Sequence, residues 1–192
     1  MSTLSEPASL SPATAAPDSG TDGWLWLNLI VALIAVAGSL YLTLGMGLQA
    51  CPLCLYQRTF VISVAGVLGV GMLARVRPSG ALTLLALPLA AGGAGVGAFH
   101  VYLQHVGKLE CPFGIFGWGT APEQALAIQA LLLLALLADV VGKRAILPML
   151  GCVALGAAFA LACIRTAPPA KQPTAAYAEE LKGCRPPYRA TP

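Results

Sequence analysis

Polar residues in this chain come in short clusters, separated by apolar runs far longer than the core of a soluble domain needs. The first run, at about 24–47, carries no charge and opens on two Trp residues, Trp24 and Trp26, of the kind that mark a membrane interface. A second, at about 52–74, stops at Arg75 and Arg77, and Pro78, Ser79 and Gly80 then predict a tight connection. The third, at about 81–105, contains Pro88 and the cluster Gly92, Gly93, Gly95 and Gly97, which permits a kink or a close approach between helices in lipid. A loop with Lys108, Glu110 and Cys111 precedes a fourth run at about 123–141, closed by Lys143 and Arg144, and a fifth follows at about 145–164.

A helix needs about 20 apolar residues to cross a hydrocarbon layer of roughly 30 Å. Within that layer every backbone polar group must be paired inside its own segment. These runs are also too long for barrel strands. The predicted fold is therefore an all-α membrane protein: a helical bundle over residues 23–165, preceded by a tail at 1–22 and followed by a polar, Pro-rich tail at 166–192. The first tail has three acids and no Lys or Arg, so it lacks the basic region of a secretory signal and reads as disordered.

Composition agrees. The chain is 57% hydrophobic and only 10% charged, against roughly 25% charged in an ordinary soluble domain. The net charge of +3 is small and dispersed, which argues against nucleic acid as a partner and leaves lipid as the surrounding medium.

Five spans place Cys51, Cys54, the Cys111 loop and the tail bearing Cys184 on one side of the membrane. Charge divides on which side that is. Arg75, Arg77, Lys143 and Arg144 mark the opposite side as cytoplasmic, but Arg165, Lys171, Lys182, Arg185 and Arg189 lie with the cysteines. Paired thiols persist as disulfides outside the cytosol, which favours an extracytoplasmic position for the cysteine side.

The stretch Cys51-Pro52-Leu53-Cys54-Leu55-Tyr56-Gln57-Arg58 opens the second span. Pro favours the first helical position, making Cys51 the N-cap and Cys54 the third helical residue. Both sulfurs then lie at the positive end of a helix dipole, which stabilises the thiolate that attacks or leaves in disulfide exchange. Arg58 sits one turn beyond Cys54 on the same face, with Gln57 beside it. A guanidinium just inside a span is costly and suggests a functional partner such as an electron-rich acceptor; the plainer alternative is that it snorkels to the interface. Leu55 stands where haem attachment needs His. Zinc would have to gather Cys51, Cys54 and Cys111 with His105 or Cys184 from several loops, so no metal is expected.

This CPLCLYQR stretch resembles the signature of the DsbB family, and the similarity extends over about 24–141. The resemblance implies a four-helix bundle, here with a fifth transmembrane helix, acting in the inner (cytoplasmic) membrane as a thiol:quinone oxidoreductase. Such an enzyme reoxidises a DsbA-like soluble thioredoxin-fold thiol oxidase and passes electrons to ubiquinone or menaquinone from the respiratory quinone pool. By the same resemblance Cys51 and Cys54 are the redox pair, with Cys54 facing the quinone and Arg58, with Gln57 beside it, contacting it. The family's His-x-x-x-Gln pattern near the quinone head matches His100 and Gln104, although two such side chains can equally cross-link helices by hydrogen bonds.

The chain departs from the family's plan in the second loop, which normally carries two cysteines and here has Cys111 alone. Cys184 is inferred to replace the missing one, and the roughly 20 residues after Ile164 can span well over 30 Å when extended. Residues 176–184 could form one or two helical turns stopped by Gly183. Cys152 and Cys163 fall within the fifth span and read as small apolar residues. Other readings remain: a cycle that omits Cys184, a vitamin K epoxide reductase-like enzyme, or a scaffold with static disulfides.

Overall fold

The computed structural model describes residues 19–76, 79–169 and 173–188. The tail at 1–18, together with Arg77, Pro78, Lys171 and Arg189, lies outside the described residues. Five helices follow one another: α1 (Ser19–Leu44), α2 (Pro52–Leu73), α3 (Ser79–His105), α4 (Ala121–Gly142) and α5 (Ile146–Thr166). All five are long and apolar enough to cross a membrane. Helix α1 begins inside the stretch expected to be tail and ends at Leu44 rather than Gly47. Its last carbonyls are taken early, since Gly45 N–H and Met46 N–H both donate to Tyr41 O and Leu48 N–H donates to Leu42 O.

Helix α3 is the axis of the bundle. Of its most apolar stretch 61% is buried, against 11% for α5, which lies against α3 and turns most of its surface outward. The core between α1, α2, α3 and α4 is aliphatic, with Ala32, Val64, Leu68, Ala86, Leu87 and Leu136 fully enclosed. At the end of the bundle near the basic loops, the buried Asp139 accepts hydrogen bonds from Thr83 Oγ1 and, at 2.7 Å, from Lys143 Nζ. A charge in this position is tolerable because both partners travel with it.

Small residues let α5 approach α3. A Cβ added to Gly156 would lie 2.6 Å from both Ala91 Cβ and Pro88 O, so no larger residue fits there. Pro88 has no N–H, which leaves the carbonyl four residues earlier without its helical donor. That carbonyl, Leu84 O, accepts the Cys152 thiol at 3.4 Å. Cys152 thus satisfies a broken helix bond across the α3–α5 contact.

The chain leaving α5 does not form the helical turns expected at 176–184. It is extended and bridges two loops: Gly183 pairs with Gln49 in parallel and Arg185 with Glu110 in antiparallel fashion. Gln49 N–H donates to Lys182 O at 2.6 Å, while Glu110 and Arg185 exchange bonds of 2.8 and 3.0 Å. These bonds require the tail's backbone groups to face outward to its neighbours rather than into a helix. Glycine is needed at 183, because a Cβ there would lie 2.8 Å from Gln49 O. Tyr177 braces the extended tail, its hydroxyl donating to Pro186 O at 2.8 Å and its ring lying 3.8 Å beneath the Arg185 guanidinium.

Overpacking at the α3–α5 seam is expected to be costly. Gly156→Leu should destabilise the detergent-solubilised protein by roughly 1–3 kcal/mol, seen as a lower Tm. Gly151→Leu, where an added Cβ meets nothing within 4 Å, should leave Tm unchanged. Equal Tm values for the two variants would show that the close seam does not hold α5.

Candidate active site

Cys51 caps α2 with extended backbone angles (φ −74°, ψ 166°), and Pro52 takes the first turn. The Cys54 N–H donates to Cys51 Sγ at 3.3 Å, and the two sulfurs stand 2.9 Å apart as thiols. The docked tail brings Cys184 to the same place, joined to Cys111 in a disulfide that closes a 73-residue separation. The two pairs meet at His100, which is fully buried. Its Nε2 lies 3.8 Å from Cys51 Sγ and 3.6 Å from Cys111 Sγ, and Gln57 Nε2 is 3.3 Å from its Nδ1. The sulfurs of Cys51, Cys54 and Cys184 and a ring nitrogen of His100 all fall within 4.8 Å of one another.

The hydrogen bond from Cys54 lowers the Cys51 thiol pKa to about 4. Burial opposes this, and His100 reinforces it. Cys51 is therefore the thiolate of the pair at neutral pH, a nucleophile stabilised where the helix begins.

Beside the sulfurs lies a mostly apolar cavity of about 210 Å³ between α1, α2, α4 and the second loop. Cys54, Gln57, Arg58 and Cys184 line it, with Ile34, Leu42, Ile115, Phe116 and Ile128 among the apolar walls. Arg58 is held rather than snorkelling free: Nε donates to Ser39 Oγ at 2.9 Å, and Nη2 donates to Ser39 O at 2.9 Å and Thr43 Oγ1 at 2.7 Å. Its Nη1 has no protein partner among the described residues.

His100 and Gln104, which the resemblance places near a quinone head, do not line this cavity. His100 turns to the sulfurs, and Gln104 accepts from Thr120 Oγ1 at 2.9 Å, where it ties the end of α3 to the start of α4. His105 is 68% exposed and pairs with Glu123 at 3.6 Å, away from the cysteines. Cys163 packs in the small cluster with Leu53, Val96 and Ala160.

Two parts of the site went unrecognised in the sequence. Gln129 lines the cavity, is nearly buried and donates to Gln57 O at 3.2 Å. The signal was available, since an amide in the middle of a span needs a reason. Ser39 and Thr43, four apart on α1, form the cradle of Arg58, but nothing in their spacing names the partner helix.

Membrane-length helices carrying two converging cysteine pairs at one end define an all-α membrane protein with a thiol–disulfide site. Residues 21–132 match the family described as disulfide bond formation protein DsbB, and the chain belongs to that family. It is 34% identical over 89 residues to disulfide bond formation protein B 1 of Pseudomonas fluorescens, covering 46% of this chain and 53% of that one. It is 39% identical over 93 residues to disulfide bond formation protein B of Burkholderia pseudomallei, with the same coverage of each chain. The chain thus spans about half the length of these relatives. No solved structure matches it. The family match ends within α4, so α5 and the tail with Cys184 lie beyond it.

The depressed pKa sets a pH profile. A thiol with a pKa of about 4 is ionised above that value, so alkylation of Cys51 should stay nearly constant from pH 8 down to about 5 and fall only below. An ordinary thiol would slow about tenfold per unit below its pKa of roughly 8.5. Mass-spectrometric alkylation rates of the CxxC peptide would decide; ordinary behaviour at Cys51 would contradict the assigned hydrogen bonding.

Proposed function

We propose that the protein is a membrane thiol:quinone oxidoreductase supporting disulfide bond formation, with its redox cysteines on the extracytoplasmic side of the inner membrane. The observation that carries this reading is that one half-buried cluster holds a disulfide, a second cysteine pair and the wall of an apolar cavity.

A DsbA-like soluble thioredoxin-fold partner presents a dithiol. One of its sulfurs attacks the Cys111–Cys184 disulfide and the other resolves the mixed disulfide. The partner leaves oxidised, and two electrons and two protons remain on Cys111 and Cys184. Cys184 lies within reach of both Cys51 and Cys54. Its thiolate opens the oxidised Cys51–Cys54 bond to form a mixed disulfide, and Cys111 then attacks Cys184 Sγ and displaces the bonded CxxC sulfur, restoring Cys111–Cys184 and leaving Cys51 and Cys54 as a dithiol. The arrangement observed, with Cys111–Cys184 bonded and Cys51 and Cys54 free, corresponds to this last stage. His100, facing Cys51 and Cys111, is placed to orient the sulfurs and to hold a proton between the two pairs.

The cavity suits a flat ring bearing carbonyls, since its walls are apolar and one guanidinium lines it. A quinone, ubiquinone or menaquinone, supplies a two-electron, two-proton acceptor there. Arg58, fixed by Ser39 and Thr43, offers Nη1 to a carbonyl oxygen, and Cys54 presents its sulfur to the same space.

Dithiol oxidation with a soluble quinone analogue tests the reading. Cys54→Ser should abolish it, whereas unchanged activity would leave a scaffold with static bridges. Arg58→Leu should raise the apparent quinone KM about tenfold or more, as expected for loss of a charge-assisted hydrogen bond, with dithiol reduction of Cys111–Cys184 unaffected. Normal quinone saturation in the folded variant would make Arg58 a structural residue.

A further inference from the structure

The cysteine cluster has a property that electron transfer does not use. We propose that the fully reduced protein binds one zinc ion between Cys51, Cys54, Cys184 and His100. Closed zinc sites are tetrahedral, with thiolates at about 2.3 Å and imidazole at about 2.0–2.1 Å, so their ligand atoms stand roughly 3.3–3.8 Å apart. Here the four ligand atoms already lie within 4.8 Å of one another, His100 buried and the three cysteines half-buried. Small rotations of the cysteine side chains close the set.

His100 is prepared as a ligand. Its Nδ1 is engaged by Gln57 at 3.3 Å and its Nε2 faces the sulfurs. Turning the Gln57 amide to present Oε1 lets it accept Nδ1–H, as the partners of metal-binding imidazoles do, and leaves Nε2 for the ion. From sequence, zinc looked remote because Cys51, Cys54 and Cys111 with His105 or Cys184 had to be gathered from several loops. His105 is exposed and paired with Glu123, and the imidazole among the sulfurs belongs to His100.

Redox state controls the site. In the Cys111–Cys184 disulfide the Cys184 sulfur has no thiolate to offer. A dithiol reductant opens that bond, giving its two electrons and two protons to the two sulfurs and leaving as a disulfide. Zinc then binds the Cys51 thiolate, displaces the protons of Cys54 and Cys184 and takes the imidazole as fourth ligand; Cys111 remains a thiol. Cys54 and Cys184 both line the cavity, so the metal would close the path between dithiol and cavity. Zinc would thus hold the enzyme off when reducing equivalents accumulate. The inference requires only the thiols and the imidazole, and stands apart from the acceptor in the cavity.

The test uses the full chain in detergent, reduced with a phosphine that leaves the thiols free, and adds zinc or cobalt(II) alone. Equilibrium dialysis should find a single metal equivalent on reduced protein and none on protein with the Cys111–Cys184 bond intact. Cobalt should show the thiolate charge-transfer and tetrahedral visible bands. Cys184→Ser and His100→Ala should each weaken binding at least about tenfold, whereas Cys111→Ser should bind as the reduced wild type does. No metal on the reduced protein would overturn the proposal. So would binding that persists in Cys184→Ser whatever His100→Ala does, because the ion would then be held elsewhere.

Discussion

The pairing of the tail with two loops is the constraint on which the site depends. Backbone bonds from Gln49 and Glu110 hold residues 182–185 extended across the end of the bundle, and this places Cys184 among Cys51, Cys54 and His100. Each such bond contributes only about 0.5–1.5 kcal/mol net, but the disulfide to Cys111 closes a long loop and so restricts the unfolded chain strongly. Helix α5 makes the arrangement possible by returning the chain to the side where Cys111 lies. Its seam with α3 is built for that role: Gly156 admits close contact, and Cys152 caps the carbonyl that Pro88 leaves open.

Polar groups inside the bundle gather in a layer where most find partners, with Gln129 Oε1 left unpaired among the described residues. Gln57 links His100 to the α2 backbone region that Gln129 also reaches, and Arg58 is cradled by two hydroxyls and a carbonyl of α1. In hydrocarbon an unpaired polar group is costly, so the bonds in this layer favour one rotation of α1, α2, α3 and α4 about their axes. The same layer divides the site. His100 faces the sulfurs, and Arg58 lines the cavity.

Much of this was legible from the residues. Charge-free runs located the helices, because the cost of a charge in lipid leaves few other readings, and Pro52 after Cys51 located the cap of α2. Arg58 stood out as a cation one turn from the CxxC pair. Other features depend on tertiary contacts that periodicity does not encode. His100 and Gln104 share a helix face, yet one meets sulfurs and the other the start of α4. Residues 176–184 have a local composition fit for helix, and the offer of backbone partners from two loops overrides it. Gln129 and the Ser39–Thr43 cradle become meaningful only when the facing helix is known.

The central claim is that Cys184 meets the CxxC pair directly, so that a tail cysteine beyond the family's matched region completes the relay. In a variant carrying Cys54→Ser and Cys111→Ser, Cys51 and Cys184 are left facing one another. Peptide mapping after mild oxidation should find a Cys51–Cys184 disulfide in most molecules, formed within one chain. Free thiols at both positions in the folded, oxidised variant would contradict the account.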